Sequence, residues 1–110
     1  MAEDIRLDDL EVIDNRDANR FEIRVRDELA FVTYRRNDST ITYIHTEVPP
    51  SLEGHGIAAK LARHALDYAR ANGLEVVPMC PYVASYIERH PEYADVVHLR
   101  AGPKELRDGS

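Results

Sequence analysis

A length of 110 residues fits one domain, and 44% hydrophobic residues with five Gly and six Pro mark a folding chain, not a disordered one. A formal net charge of -6, with no apolar run near the roughly 20 residues of a membrane span, excludes a general attraction to nucleic acid or anionic membranes. The single cysteine, Cys80, excludes an internal disulfide and any all-cysteine metal cluster, and the histidines show no metal-ligand spacing.

Residues 1–17 carry seven acidic side chains and lack the apolar segment of a signal peptide, so a cytoplasmic location is expected. Residues 1–8 are expected to be a flexible tail, and Leu10 to Ile13 to dock as a short strand or turn. Phe21, Ile23 and Val25 alternate with Glu22, Arg24 and Arg26, which predicts a half-buried strand. A second strand is predicted over Leu29 to Arg36 and a third over Thr40 to Val48, rich in Thr, Ile, Tyr and Val. The short connections favour an antiparallel meander. Pro49-Pro50 ends that ladder, because proline has no backbone hydrogen to donate.

The period then changes. Ile57, Ala58, Leu61, Ala62, Ala65, Leu66 and Ala69 form a stripe at three- and four-residue spacing, which predicts an amphipathic helix ending at Asn72-Gly73. His64 lies off that stripe and is expected to face solvent. Leu74 to Met79 is predicted to return as a strand beside the third one. Tyr82 to Arg89 can form a short helix, and Val96, Val97 and Leu99 a last strand; residues 101–110 read as a tail. The expected class is α+β: an antiparallel meander, a long helix, a parallel-paired strand, a short helix and a final strand. It forms one domain over 1–110 with its core at about 12–99.

Leu52-Glu53-Gly54-His55-Gly56-Ile57-Ala58-Ala59 joins a strand to the first turn of the long helix. The first amides of a helix lack internal partners and carry the positive end of its dipole. Gly54 and Gly56 keep side chains out of the way and Ala58 obstructs little, so the amides of residues 54–59 can receive a pyrophosphate. His55 or Lys60 can approach its edge. The bland alternative is that two glycines simply bend the chain. No G-K-[ST] follows, and position 59 is Ala, so neither a Walker loop nor a dinucleotide fingerprint is present.

The whole chain narrows the choice. Ile44-His45-Thr46-Glu47-Val48, the loop Glu53 to Ala58, the segment Val76 to Val83 with its Cys80-Pro81-Tyr82, and Tyr86 to Tyr93 with its His90-Pro91-Glu92-Tyr93 resemble the minimal GCN5-related N-acetyltransferase-like proteins. The resemblance covers roughly residues 20–99. It implies a small acyl-CoA N-acyltransferase-like fold and acetyl-CoA as cofactor. The implied enzyme is an N-acetyltransferase whose acceptor is an amine, with a protein lysine or a small cationic amine as candidates. The superfamily loop reads [Arg/Gln]-x-x-Gly-x-[Gly/Ala]; Gly56 and Ala58 match it, and Glu53 departs from it. Cofactor contacts are expected from Thr46, Glu47, Val48, Gly54, His55, Gly56, Ile57, Ala58, Ala59, Lys60, Met79 and Cys80.

The resemblance puts the family's catalytic His on His45 and its Cys on Cys80. His45 shares strand parity with Ile41 and Tyr43, while Ile44 and Thr46 face the other way. Two routes fit: direct attack by the amine, with His45 as base and the amide near Met79 as oxyanion donor, or an acetyl-Cys80 intermediate. Direct attack is preferred. Taken alone, Cys80 is more often a small buried hydrophobe and His45 a satisfied sheet histidine. Tyr82 and Tyr86 wall the acceptor pocket or belong to the core. The competing readings are a non-catalytic CoA-binding module and a protein-interaction domain on the same scaffold.

Overall fold

The computed structural model describes residues 6–97. A single turn of 3-10 helix at Leu7–Asp9 precedes β1 (Ile13–Asn15), β2 (Arg20–Val25), β3 (Glu28–Arg36) and β4 (Thr40–Glu47). A second 3-10 turn, Pro50–Leu52, leads into α1 (Ile57–Ala71); β5 (Glu75–Pro78), α2 (Pro81–Arg89) and a 3-10 segment (Pro91–Val96) follow. The sheet order is β1-β2-β3-β4-β5; the first three pairings are antiparallel, and β4–β5 is parallel. The docked N-terminal strand lies at Ile13–Asn15, slightly later than the segment expected for it.

The alternation of β2 buries Phe21, Ile23 and Val25 and matches Ala30, Val32 and Tyr34 from β3 and Ile41 and Tyr43 from β4. This face receives the stripe of α1: Ile57, Leu61, Ala62, Ala65, Leu66 and Ala69 are buried against it. The alanines let helix and sheet backbones approach closely, and the Tyr43 hydroxyl donates 2.7 Å to the Ala65 carbonyl. The helix ends as expected at Asn72-Gly73, where the Leu74 amide closes onto the Ala69 carbonyl at 2.9 Å. Parallel return of the chain then sets Thr40 against Glu75 and Tyr43 against Pro78.

At the C-terminal end the expected strand contributes one parallel bridge, Val97 to Val76. Val96 belongs to the 3-10 segment. Leu99 and the tail at 101–110 lie outside the described residues, as do residues 1–5 of the N-terminal tail. No helix among the described residues is long and apolar enough to cross a membrane.

His64 corrects its sequence expectation. It sits on the flank of α1 with its ring edge-on to Phe21, centroids 4.9 Å apart, and is half-buried. The stripe widens there because Phe21 and Tyr68 pack over that flank. Burial holds the His64 pKa below its ordinary 6.5, against the opposing pull of Asp14 and Asp67; Lys60 adds to the depression. The unfolded chain therefore takes up the proton first. His64's contribution to stability is complete above about pH 6.5 and is lost as pH falls through the depressed folded value. Urea denaturation from about pH 7.5 down to about 5.5 should show stability falling in the wild type, and falling less in His64→Gln. An equal fall in both would contradict a desolvated His64.

Candidate functional site: a groove at the end of the sheet

The site begins where the β4–β5 ladder stops. Tyr43 is the last residue of β4 in register with β5, and the Cys80 amide donates 2.8 Å to the Tyr43 carbonyl. Pro81 then turns the chain into α2, with Cys80 at its N-cap position. β4 continues through Ile44 to Glu47 with β3 on one side and, among the described residues, no strand on the other.

At this point β4 carries a bulge. Tyr34 pairs with Tyr43, but Thr33 pairs with His45, so Ile44 is the extra residue. A bulge reverses the parity of everything after it. Thr46 now lies opposite the buried Val32, on the helix-covered face with Tyr43, and His45 lies opposite Thr33 on the other face. The expected parity of His45 with Ile41 and Tyr43 is thereby corrected.

The bulge decides which side chains meet. The Thr46 hydroxyl is 3.2 Å from the Cys80 sulfur, which is buried. His45 turns to Glu47, Nε2 to Oε1 3.2 Å, and its ring is edge-on to Phe31 at 6.3 Å. No hydrogen bond joins His45 to Cys80 among the described residues. The Met79 amide, expected as an oxyanion donor, already donates 3.0 Å to the Val77 carbonyl. The Met79 side chain is 68% exposed, pointing away from the core.

The loop behaves as its sequence suggests. Gly54 and Gly56 take φ of 87° and 80°, in the left-handed region that costs an L side chain about 1–2 kcal/mol. Gly56 is the N-cap of α1, and no side chain caps the helix there. Among the described residues the amides of Gly54 to Ala59 have no acceptor. The helix dipole adds its positive end at the same place. Glu53, the departure from the superfamily pattern, is exposed beside this run and caps none of it.

Two connected hollows join loop to strand. One, about 220 Å³, lies over Leu52, Gly54, Gly56, Ile57 and Ala59. The other, about 400 Å³, runs along His45, Thr46 and Glu47. Val48, Glu53, Ala58 and Tyr82 line both, so they form one groove. Sequence reasoning assigned Tyr82 to an acceptor pocket; its ring walls this groove instead. Tyr86 is buried, stacked on His90 at 4.0 Å. His55 is exposed and lines neither hollow, and Lys60 lies on another flank of α1. Leu52, buried under the groove, was not singled out from the sequence; an apolar residue two before the first glycine was the available signal.

A separate hollow of about 430 Å³ involves Arg16, Tyr34, Arg36 and Tyr68. Its guanidinium groups are already engaged: Arg36 donates to the Tyr68 hydroxyl and Arg16 pairs with Asp14.

A family model described as GCN5-related N-acetyl-transferase matches residues 20–96. The chain belongs to the GCN5-related N-acetyltransferase family. The fold agrees with this: the NMR solution structure of a GCN5-like protein from Staphylococcus aureus superposes with a TM-score of 0.65 at 28% identity, covering 92% of this chain and 97% of that one. Among curated relatives, Protein NATD1 of Gallus gallus is 38% identical over 56 residues, 51% of each chain. Protein NATD1 of Homo sapiens is 40% identical over 47 residues, 43% of this chain and 42% of that one. The chain thus spans about half the length of the curated relatives it matches.

These relatives correct the enzymatic expectation. Similarity to Protein NATD1 argues against a genuine catalytic acetyltransferase activity. The transferase and acyltransferase descriptions fall with it. The geometry agrees with this: the bulge sets the imidazole and the thiol on opposite faces of the sheet, with no hydrogen bond between them among the described residues, and the Met79 amide donates to the Val77 carbonyl. What this member of the GCN5-related family keeps is the scaffold and its groove.

Gly56 also meets a neighbour. A Cβ there would stand 2.9 Å from Leu7 Cδ1, whereas one at Gly54 would meet nothing within 4 Å. Gly54→Ala and Gly56→Ala should each cost about 1 kcal/mol in urea denaturation, from the left-handed backbone alone. Only Gly56→Ala should shift the Leu7 methyl resonances in a carbon–proton correlation spectrum. Matching methyl spectra for the two variants would contradict the Leu7 contact.

Proposed function

We propose that this protein is a non-catalytic coenzyme A-binding module that takes CoA or its acetyl thioester into the groove. The observation that carries the reading is the uncapped run of amides from Gly54 to Ala59, opening into a groove that continues along the unpaired end of β4. A pyrophosphate needs several convergent donors and an open approach, and this run supplies both on the flank that faces the groove. A pantetheine arm is extended and carries two amides. Residues Ile44 to Glu47, with no strand beyond them, offer it an edge to pair with, as an added strand would. Val48, Leu52 and Tyr82 supply apolar walls for its methylenes.

The residues present fit the ligand with one opposing feature, the Glu53 carboxylate on the groove wall. Its charge is exposed and screened by water, so it weakens binding without forbidding it. Within this proposal Thr46, Glu47, Val48, Gly54, Gly56, Ile57, Ala58 and Ala59 contact the coenzyme. Cys80 is a packing residue whose thiol is held by Thr46, and His45 stands at the groove's far end. The acetyl group, when present, is carried and shielded rather than transferred.

Ala58→Asp tests this cleanly. A carboxylate in the first turn of α1 favours the helix dipole, so the variant should be at least as stable as the wild type. The same carboxylate stands where the phosphates would lie. Titration calorimetry should find CoA binding to the wild type and a loss of about tenfold or more in Ala58→Asp. Thiol release from acetyl-CoA in the presence of a polyamine or a lysine peptide should stay at the protein-free rate. No heat with wild-type protein, or thiol release above that rate, would contradict the proposal.

A further inference from the structure

The groove uses one flank of the first turn of α1. The other flank is covered by the chain's own N-terminal segment. Leu7 Cδ1 lies 2.9 Å from the place a side chain would occupy on Gly56, so the leucine rests on the bare backbone at the start of the helix. Lys60 donates its ammonium hydrogen to the Leu7 carbonyl. A hollow of about 250 Å³ next to this contact is lined by Leu7, Asp8, Gly56, Ala59, Lys60 and Arg63. Arg63 makes no ion pair with any described residue.

The charges here run in two directions. Lys60, Arg63 and the helix N-terminus make this end of α1 a positive region on a chain of net charge -6. The covering turn brings the exposed Asp8 against that region. It also takes the Lys60 ammonium for its own carbonyl. A phosphate-bearing ligand arriving at Gly54 to Ala59 therefore meets the Asp8 carboxylate and an occupied lysine.

The turn is lightly held. Its backbone bonds are Asp9 amide to Arg6 carbonyl, 2.9 Å, and Leu10 amide to Leu7 carbonyl, 3.1 Å; an exposed Arg6–Asp9 ion pair adds little. Such a segment opens at small cost compared with global unfolding.

We propose that the Arg6–Asp9 turn is an intramolecular cover on the phosphate cradle, an autoinhibitory contact that a polyanionic ligand of the CoA type displaces. This inference rests on the coenzyme reading above. Displacement frees Lys60 to join Arg63 on the ligand's phosphates and moves Asp8 away from them. The cover sets the affinity of the resting protein below that of the open cradle.

Two measurements on the full chain test it. Hydrogen exchange at the Asp9 and Leu10 amides reports whether the turn is intact. Saturating CoA should speed exchange at both by about tenfold or more, because their acceptors are lost when the turn leaves. Calorimetry should find CoA binding about threefold tighter to the variant D8N at low salt, with the gain shrinking at about 0.5 M salt. Leu7→Ala, which loosens the seat and keeps the Asp8 charge, should tighten binding as well. Slower exchange at Asp9 and Leu10 with CoA present would overturn the cover and make the turn a wall of the site. Equal affinity in D8N and wild type would also overturn it, while leaving the coenzyme reading standing. No CoA binding by wild type or either variant would remove both.

Discussion

The Cys80 amide reaches the Tyr43 carbonyl, and no backbone bond beyond that rung joins β5 to β4. The site depends on this limit. Had β5 continued in register, its backbone would have filled the edge of β4 from Ile44 to Glu47. Pro78 and Pro81, on either side of the rung, have no amide hydrogens, and Pro81 starts α2 instead. The strands part, and the gap becomes the groove that Val48, Ala58 and Tyr82 enclose. The sheet itself is held by the apolar face packed under α1, so the unpaired end of β4 rests on a core that does not need further pairing there.

The bulge at Ile44 gives the gap its chemistry. By adding one residue to β4 it turns Thr46 toward Cys80 and His45 toward Glu47. The thiol sits in apolar surroundings with a hydroxyl partner, where a cysteine behaves as a small hydrophobe. The imidazole lies on the opposite face beside an aromatic ring. A transfer reaction needs a base, an acceptor site and a polarising donor arranged around one reacting atom. Here the imidazole and the thiol lie on opposite faces of the sheet, with no hydrogen bond between them among the described residues. Binding needs less: uncapped amides, a clear approach and apolar walls, all of which the groove retains. This asymmetry is why family membership and the loss of the enzymatic reading are compatible.

Much of the architecture was legible in the amino-acid pattern because it is local. The alternation at Phe21, Ile23 and Val25, the helical stripe from Ile57 to Ala69 and the Asn72-Gly73 ending each involve residues a few positions apart. The glycine turn before α1, with Gly54 and Gly56 at positive φ, was legible for the same reason. The failures were all non-local. Nothing around Ile44 marks a bulge, since no glycine or proline interrupts β4, and the parity of His45 followed the uninterrupted count. His64 read as solvent-facing because its neighbour Phe21 is 43 positions earlier in the chain. The contact of Leu7 with Gly56 and Lys60 spans some fifty residues and leaves no periodicity to read. The role of Cys80 could not be settled by spacing either, because its partner, Thr46, is chosen by the bulge.

In the proposed complex, free amides at the start of α1 hold a pyrophosphate while the ligand's arm lies along the open edge of β4. Amide chemical-shift mapping during titration with CoA reads this residue by residue. The largest shifts are expected on Gly54 to Ala59 and on His45 to Val48. Shifts centred on Arg16, Arg36 and Tyr68, or none up to millimolar CoA, would contradict it.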